Sequence, residues 1–405
     1  MNNCAFMDYF WHRLPIFLVF VNSYLVYRML VCTELTHVFV QRTIQQSHGH
    51  IKKVILYILI CGAFLSFFIP NAVTVLILIP ILKQIDSRMN AVKTHRVTTA
   101  LALSAIYGAN IGGMGSLVGS PANLILIAAL DVLHVRLSIP ITFFNWFIWS
   151  IPLVIFFLVS AYGVIHFLAL PSSDTSELKY LFDQNEKLNQ KQKKAFFLFI
   201  EFICFWIIHS LCHHYFNLYE CLLSMFCILF ITLFIYQLLH HPHVLPFEQL
   251  IRGVPVRGFM VLVLFVGLMI IIKWLKLDQW GVKHMNDWLP VNSTPTMLVF
   301  WITSISILLT EFLSNTIVST ALFPIVYQTG IVNHISPILL MIPVSVASTC
   351  AFMTPIATPC NAFVFGEMKG MRLSTMFFCG FILNLLCILC VTFWIPLCIP
   401  LIYPS

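Results

Sequence analysis

Apolar positions run along this chain in long stretches, at roughly 14–33, 54–82, 97–130, 142–169, 195–213, 218–239, 258–275, 296–327, 335–366 and 373–403. Uncharged runs of this length predict membrane-spanning helices rather than the half-polar helices of a soluble domain. Some are too long for one crossing. As a straight helix, residues 54–82 would extend about 43 Å, against a hydrocarbon core of ~30 Å. Lys52 and Lys53 precede that run, and Lys83, Arg88, Lys93 and Arg96 follow it. A single crossing would leave basic clusters on both faces of the membrane, whereas a re-entrant hairpin broken at Pro70 and Asn71 keeps them on one. Residues 296–327 repeat the design around Ser314, Asn315 and Thr316, with flanks poor in Lys and Arg. That hairpin is expected to enter from the opposite face.

The clearest hydrophilic insert is PSSDTSELKYLFDQNEKLNQKQKK, residues 171–194, which separates two halves. Lys187, Lys191, Lys193 and Lys194 close it just before the next span, which predicts a cytoplasmic linker. Composition agrees with a polytopic membrane protein: 60% of the 405 residues are hydrophobic and 9% charged, too little charge to cover a soluble surface. The net charge of +7 is spread over short loops, which assigns it to topology and not to nucleic acid. The 13 cysteines stand singly in apolar runs, and Cys387 and Cys390 share one uncharged helix, as buried thiols do. His213, His214, His240, His241 and His243 fall at loops and interfaces and read as solvated rather than metal-binding. A membrane-embedded enzyme would need paired carboxylates, a Ser–Lys pair or H-E-x-x-H within its spans, and none stands out. A channel is the remaining rival class, and stoichiometric uptake separates it from a carrier.

The halves align with each other. FFIPNAVTVLILIP places Asn71 nine residues before Pro80, and EFLSNTIVSTALFP places Asn315 nine residues before Pro324. Downstream, GANIGGMGSLVGSPANLILI carries Ser120-Pro121-Ala122-Asn123, and ASTCAFMTPIATPCNAFVFG carries Thr358-Pro359-Cys360-Asn361. Each half therefore presents a hairpin tip with Asn, then a span interrupted near [ST]-P-x-N. Irregular backbone at membrane depth is tolerated where it is buried in protein or lines a wet cavity. Broken helices offer N–H groups to anions and carbonyls to a small cation, and Asn and Thr add neutral hydrogen bonds. The combination predicts a transporter.

These motifs resemble the divalent anion/sodium symporters, within a wider clan that includes arsenite-permease-like proteins. The resemblance spans residue 15 or so to the C-terminus and rests on SNT at a tip, IGGMGSLVGSPAN and FMTPIATPCNAFVFG in that order. It implies an all-α membrane protein, an inverted repeat with two opposed hairpins and two broken helices, divided into scaffold and transport domains and paired as a homodimer. The expected parts are 1–50, first scaffold span and interfacial helix; 51–170, first transport elements; 171–194, linker; 195–294, scaffold helices of the second repeat; and 295–405, its transport elements. The implied substrate is a small anion, a di- or tricarboxylate or sulfate, moved by an elevator mechanism with sodium; proton coupling, an arsenite-permease-like carrier and a non-transporting remnant stay open. The implied setting is a bacterial inner membrane, with no cofactor beyond the coupling ion.

By motif, the resemblance puts one sodium at Ser66, Asn71 and backbone near Gly112. The other falls at Thr310, Asn315 and the carbonyls of Leu313 and Ala357, with substrate between Asn71, Asn315, Thr316, Thr358 and Pro359. Two departures stand out. The first tip reads Pro70-Asn71-Ala72 where the family has Ser-Asn-Thr, and the first half has one span before its hairpin where the second has three. N-terminal scaffold helices are expected to be missing or to lie upstream.

Overall fold

The computed structural model describes residues 3–88, 95–135, 137, 139–170, 188–215, 220–240, 244–246, 248, 267, 271, 274–275 and 294–404. Most of the expected linker and nearly all of the 258–275 run lie outside these residues. The described residues are helical, without strands. In chain order the helices are α1 (Asn3–Cys32), α2 (Leu35–Gln45), α3 (Ile51–Ser66), α4 (Asn71–Arg88), α5 (His95–Met114), α6 (Pro121–Val132) and α7 (Phe143–Val164). After them come α8 (Gln190–Tyr215), α9 (Glu220–Leu239), α10 (Pro295–Thr310), α11 (Asn315–Val332), α12 (Pro337–Thr349), α13 (Pro359–Glu367) and α14 (Leu373–Ile402). Five of the described helices are long and apolar enough to cross a membrane: His95–Met114, Phe143–Ala169, Gln190–Cys212, Cys221–Leu239 and Leu373–Ile402. Phe17–Cys32 and Leu35–Gln45 form a further pair bent by 67°.

The chain divides into two compact units. One comprises Met1–Arg42, Ile141–Ile148 and Asp183–Val254. Within it α1 packs on α8 and α9, Gln192 Nε2 donates to Thr33 O at 3.1 Å, and the Phe205 and Phe230 rings stack at 3.7 Å.

The other unit comprises Thr43–Pro140, Trp149–Phe182 and Pro255–Ser405, and holds both expected hairpins and both interrupted spans. The long runs do break. Residues 54–82 separate into α3 and α4, and 296–327 into α10 and α11; in each pair the arms have 16 and 18 residues. Each pair of arms packs on the first segment of its own interrupted span, α3 and α4 on α5, α10 and α11 on α12. The second segments cross over: α13 packs on α4 and α6 on α11. From Val97 to Met114 helix α5 is buried, and the interior covers its polar Thr99, Ser104 and Asn110. Protein partners replace water there, which lets so many polar groups sit in an apolar span.

Candidate functional site

The two tips share one local geometry. Helix α3 stops at Ser66 and α4 starts at Asn71; α10 stops at Thr310 and α11 starts at Asn315. The Ser66 hydroxyl and the Asn71 amide are 2.6 Å apart, and Thr310 Oγ1 is 3.1 Å from Asn315 Oδ1. A helix that starts after so short a link has N–H groups to satisfy. Ser314 caps α11 by accepting from Ile317 N at 3.3 Å. Pro70 has no hydroxyl for that role, and its carbonyl takes Val73 N at 2.8 Å and Thr74 N at 3.0 Å.

The two breaks match as well. Ser120 caps α6 by accepting from Ala122 N at 3.3 Å, and Thr358 caps α13 by accepting from Asn361 N at 3.2 Å. Pro121 and Pro359 follow directly, at the helix position where a missing N–H is harmless. One asparagine then staples each break. Asn123 Nδ2 donates to Gly113 O at 3.1 Å and Ser116 O at 2.6 Å. Asn361 Nδ2 donates to Ala351 O at 2.9 Å and Thr354 O at 2.8 Å. In both halves the acceptors lie ten and seven residues before the asparagine. A hydroxyl ties each break to its own tip, Ser116 to Phe67 O and Thr354 Oγ1 to Glu311 O.

Links between the halves complete the centre. With its amide oriented so that both atoms find partners, Asn71 donates to Ala109 O at 3.2 Å and Gly119 O at 2.9 Å. Gly113 lies against the same amide; a Cβ there would come 2.3 Å from its nearest atom. The Asn71 and Asn110 amides are 3.4 Å apart, and Asn110 Nδ2 donates to Asn361 Oδ1 and Ala351 O, both at 3.1 Å. In the other direction Ser345 Oγ donates to Asn123 Oδ1 at 2.7 Å. Thr310 Oγ1 donates to Ser348 O at 2.7 Å, and the Ser319 and Ser348 hydroxyls are 2.9 Å apart. The tips are thus surrounded by neutral oxygens, hard ligands that suit a small cation better than a transition metal. Among the described residues no three His, Cys, Asp or Glu side chains gather as a metal would need.

Among the residues expected from sequence, Ser66 meets Asn71 and Thr310 meets Asn315. Gly112 lies close by, but its carbonyl accepts from Gly115 N at 2.9 Å, and the carbonyls at the Asn71 amide belong to Ala109 and Gly119. The Thr358 hydroxyl is engaged as the cap of α13. Pro359 is exposed beside it, Ala357 is buried, Leu313 is exposed, and Thr316 is half-buried in the first turn of α11. Sequence reasoning missed Asn110, Ser345 and Ser348. Asn110 left a signal, an amide in the middle of an apolar run; the two serines left none.

The family model described as citrate transporter matches residues 9–334. The chain belongs to the citrate transporter family. It is therefore a multi-pass membrane transporter and not an enzyme. An uncharacterized transporter of Haemophilus influenzae is 26% identical to it over 396 residues, covering 94% of this chain and 81% of the relative. The sodium-dependent dicarboxylate transporter SdcS of Staphylococcus saprophyticus is 27% identical over 371 residues, covering 86% and 69%. Among solved structures, the YdaH transporter of Alcanivorax borkumensis superposes with a TM-score of 0.58 at 13% identity, covering 95% of this chain and 88% of that one. That likeness bears on the fold alone.

The transporter's most costly residue is Glu311, since a carboxylate at membrane depth costs about 2.5–3.5 kcal/mol on insertion scales. It is buried, and its partners account for that. Oε1 accepts from Phe352 N at 2.9 Å, Met353 N at 3.0 Å and Asn384 Nδ2 at 2.8 Å. Oε2 accepts from Met353 N at 3.2 Å and Thr354 N at 3.0 Å. Three successive backbone N–H groups at the second break thus converge on one carboxylate, the arrangement of an anion-binding nest.

Proposed function

We propose that this transporter carries a small di- or tricarboxylate across the membrane, driven by sodium, by alternating access of an inverted repeat. The observation that carries the reading is the matched pair of tips and breaks gathered in one unit. Four helices, α4, α6, α11 and α13, start there and supply N–H groups and positive dipole ends suited to carboxylates. Four others, α3, α5, α10 and α12, end there and supply carbonyls suited to a cation. The Ser66–Asn71 and Thr310–Asn315 pairs are the proposed cation ligands, and the tip and break residues Asn71, Asn315, Thr316, Thr358 and Pro359 border the substrate. In this reading the unit with both hairpins is the moving part, the unit with α1, α8 and α9 is the scaffold, and two copies pair through scaffolds. The relatives named sodium-dependent dicarboxylate transporters favour this ion and this substrate class.

The test is uptake of radiolabelled succinate and citrate by the purified protein in liposomes. Uptake should require an inward sodium gradient, and Asn315→Ala should abolish it. Two lost ligands at on the order of 1–3 kcal/mol each weaken binding about a hundredfold or more. Uptake that follows a proton gradient, or that persists in Asn315→Ala, overturns the sodium assignment.

A further inference from the structure

The two halves share the Ser66–Asn71 and Thr310–Asn315 pairs, the asparagine staples and the hydroxyl that ties each break to its tip. Glu311 follows Thr310 as Phe67 follows Ser66, and the backbone carbonyl of each receives the hydroxyl from its own break. Their side chains are opposites. Glu311 reaches back to Phe352, Met353 and Thr354 N–H, which lie nine, eight and seven residues before Asn361. The positions nine, eight and seven residues before Asn123 are Met114, Gly115 and Ser116, and there the Phe67 ring lies on Gly115, so close that a Cβ would come 1.9 Å from Cε1. An aromatic ring offers no acceptor comparable to a carboxylate. Among the described residues Glu311 is the only buried carboxylate, so the first break has no counterpart.

All five contacts to Glu311 come from donors, and both oxygens are used. It is therefore not available as a direct ligand of a cation. Nor can a substrate carboxylate take the same three N–H groups while Glu311 holds them. Resting on the function proposed above, we propose that Glu311 is an internal anion that fills the nest of the second break, so that its three N–H groups are closed to the substrate, and whose charge favours the cation at the second tip. It acts as a positioning and specificity-determining residue. Its backbone is also tied to Thr354, which fixes the residue directly after Thr310 in the chain. Asn384 anchors it from α14, a third element that carries no part of the tip or the break.

The test uses the full-length purified protein and three variants. Glu311→Gln keeps the shape, removes the charge and turns one acceptor into a donor that faces backbone N–H groups. Glu311→Asp keeps the charge. Phe67→Glu gives the first half the missing carboxylate. Two quantities are read: the sodium dependence of succinate uptake in liposomes, and the rise in melting temperature that sodium chloride alone produces in detergent. Glu311→Gln should raise the half-saturating sodium concentration about tenfold, what about 1.4 kcal/mol of lost attraction gives, and shrink the sodium-induced shift. Its KM for succinate should move by less than about threefold, under 1 kcal/mol. Glu311→Asp should recover most of the sodium response. Phe67→Glu, which puts a carboxylate directly after Ser66 of the first cation pair, should lower the half-saturating sodium concentration.

A Glu311→Gln protein with the wild-type sodium response in both assays overturns the proposal. If that variant does not fold, Phe67→Glu decides: a half-saturating sodium concentration that is unchanged or raised overturns it. Failure of the underlying reading looks different. There the wild type takes up no succinate with sodium, while its sodium-induced melting shift, compared with that of Glu311→Gln, still tests the role of Glu311.

Discussion

Asn361→Asp isolates the staple of the second break. The two side chains have nearly the same shape, so no cavity forms and packing is unchanged. What changes is donors. Asn361 is fully buried, and its amide nitrogen serves Ala351 O and Thr354 O at 2.9 and 2.8 Å. An ionised Asp leaves both carbonyls facing an anion; a protonated one restores a single donor. Each unmade buried bond costs about 1–3 kcal/mol, so the change costs about 2–6 kcal/mol ionised and about half that protonated. The acceptor role toward Asn110 Nδ2 survives, which limits the damage to the break itself. A cost near 3 kcal/mol lowers the equilibrium constant for the intact break about a hundredfold. Uptake in liposomes should fall, by at most that order, and tryptophan-monitored melting of the detergent-purified protein should drop by several degrees. Asn123→Asp should behave alike, because it loses Gly113 O and Ser116 O in the same way. Asn333→Asp is the control: its bond to Thr329 O closes a helix end beside exposed residues, where the cost should stay within about 0.5 kcal/mol. Wild-type uptake and melting in Asn361→Asp would refute the view that this amide holds the break.

Two further outcomes separate local geometry from coupling. Gly112→Ala should abolish folding or uptake, since its Cβ would come 2.2 Å from Ala63 O and 2.6 Å from Ala63 Cα, both backbone atoms; Gly366→Ala, with nothing within 4 Å, should be neutral or slightly stabilising in the same melting assay. Pro70→Ser combined with Ala72→Thr supplies hydroxyls that the first tip lacks and should raise apparent sodium affinity and steepen the sodium dependence of uptake; a wild-type curve already as steep as that of a two-sodium carrier contradicts this.

Features set by neighbours in the chain were legible in the sequence alone. Pro70-Asn71 and Ser314-Asn315 stop one helix and start another because proline lacks an N–H and serine caps, and both breaks came where a hydroxyl residue precedes proline. The spacing of the tip pairs, Ser66 to Asn71 and Thr310 to Asn315, likewise needs only a few residues of chain. Bonds that span the fold were not legible. Nothing local says that Asn110 faces Asn361, that Ser345 meets Asn123, or that α6 crosses to α11 and α13 to α4. An amide or hydroxyl can bond almost any polar group, so its partner depends on which helices pack together. Glu311 makes the point most sharply. As sequence it is a costly charge in an apolar run; only the folding of α12, α13 and α14 around it brings three N–H groups and an amide to within hydrogen-bonding distance. Whether a buried charge is tolerated is decided by the donors that surround it, and those come from residues distant in the chain.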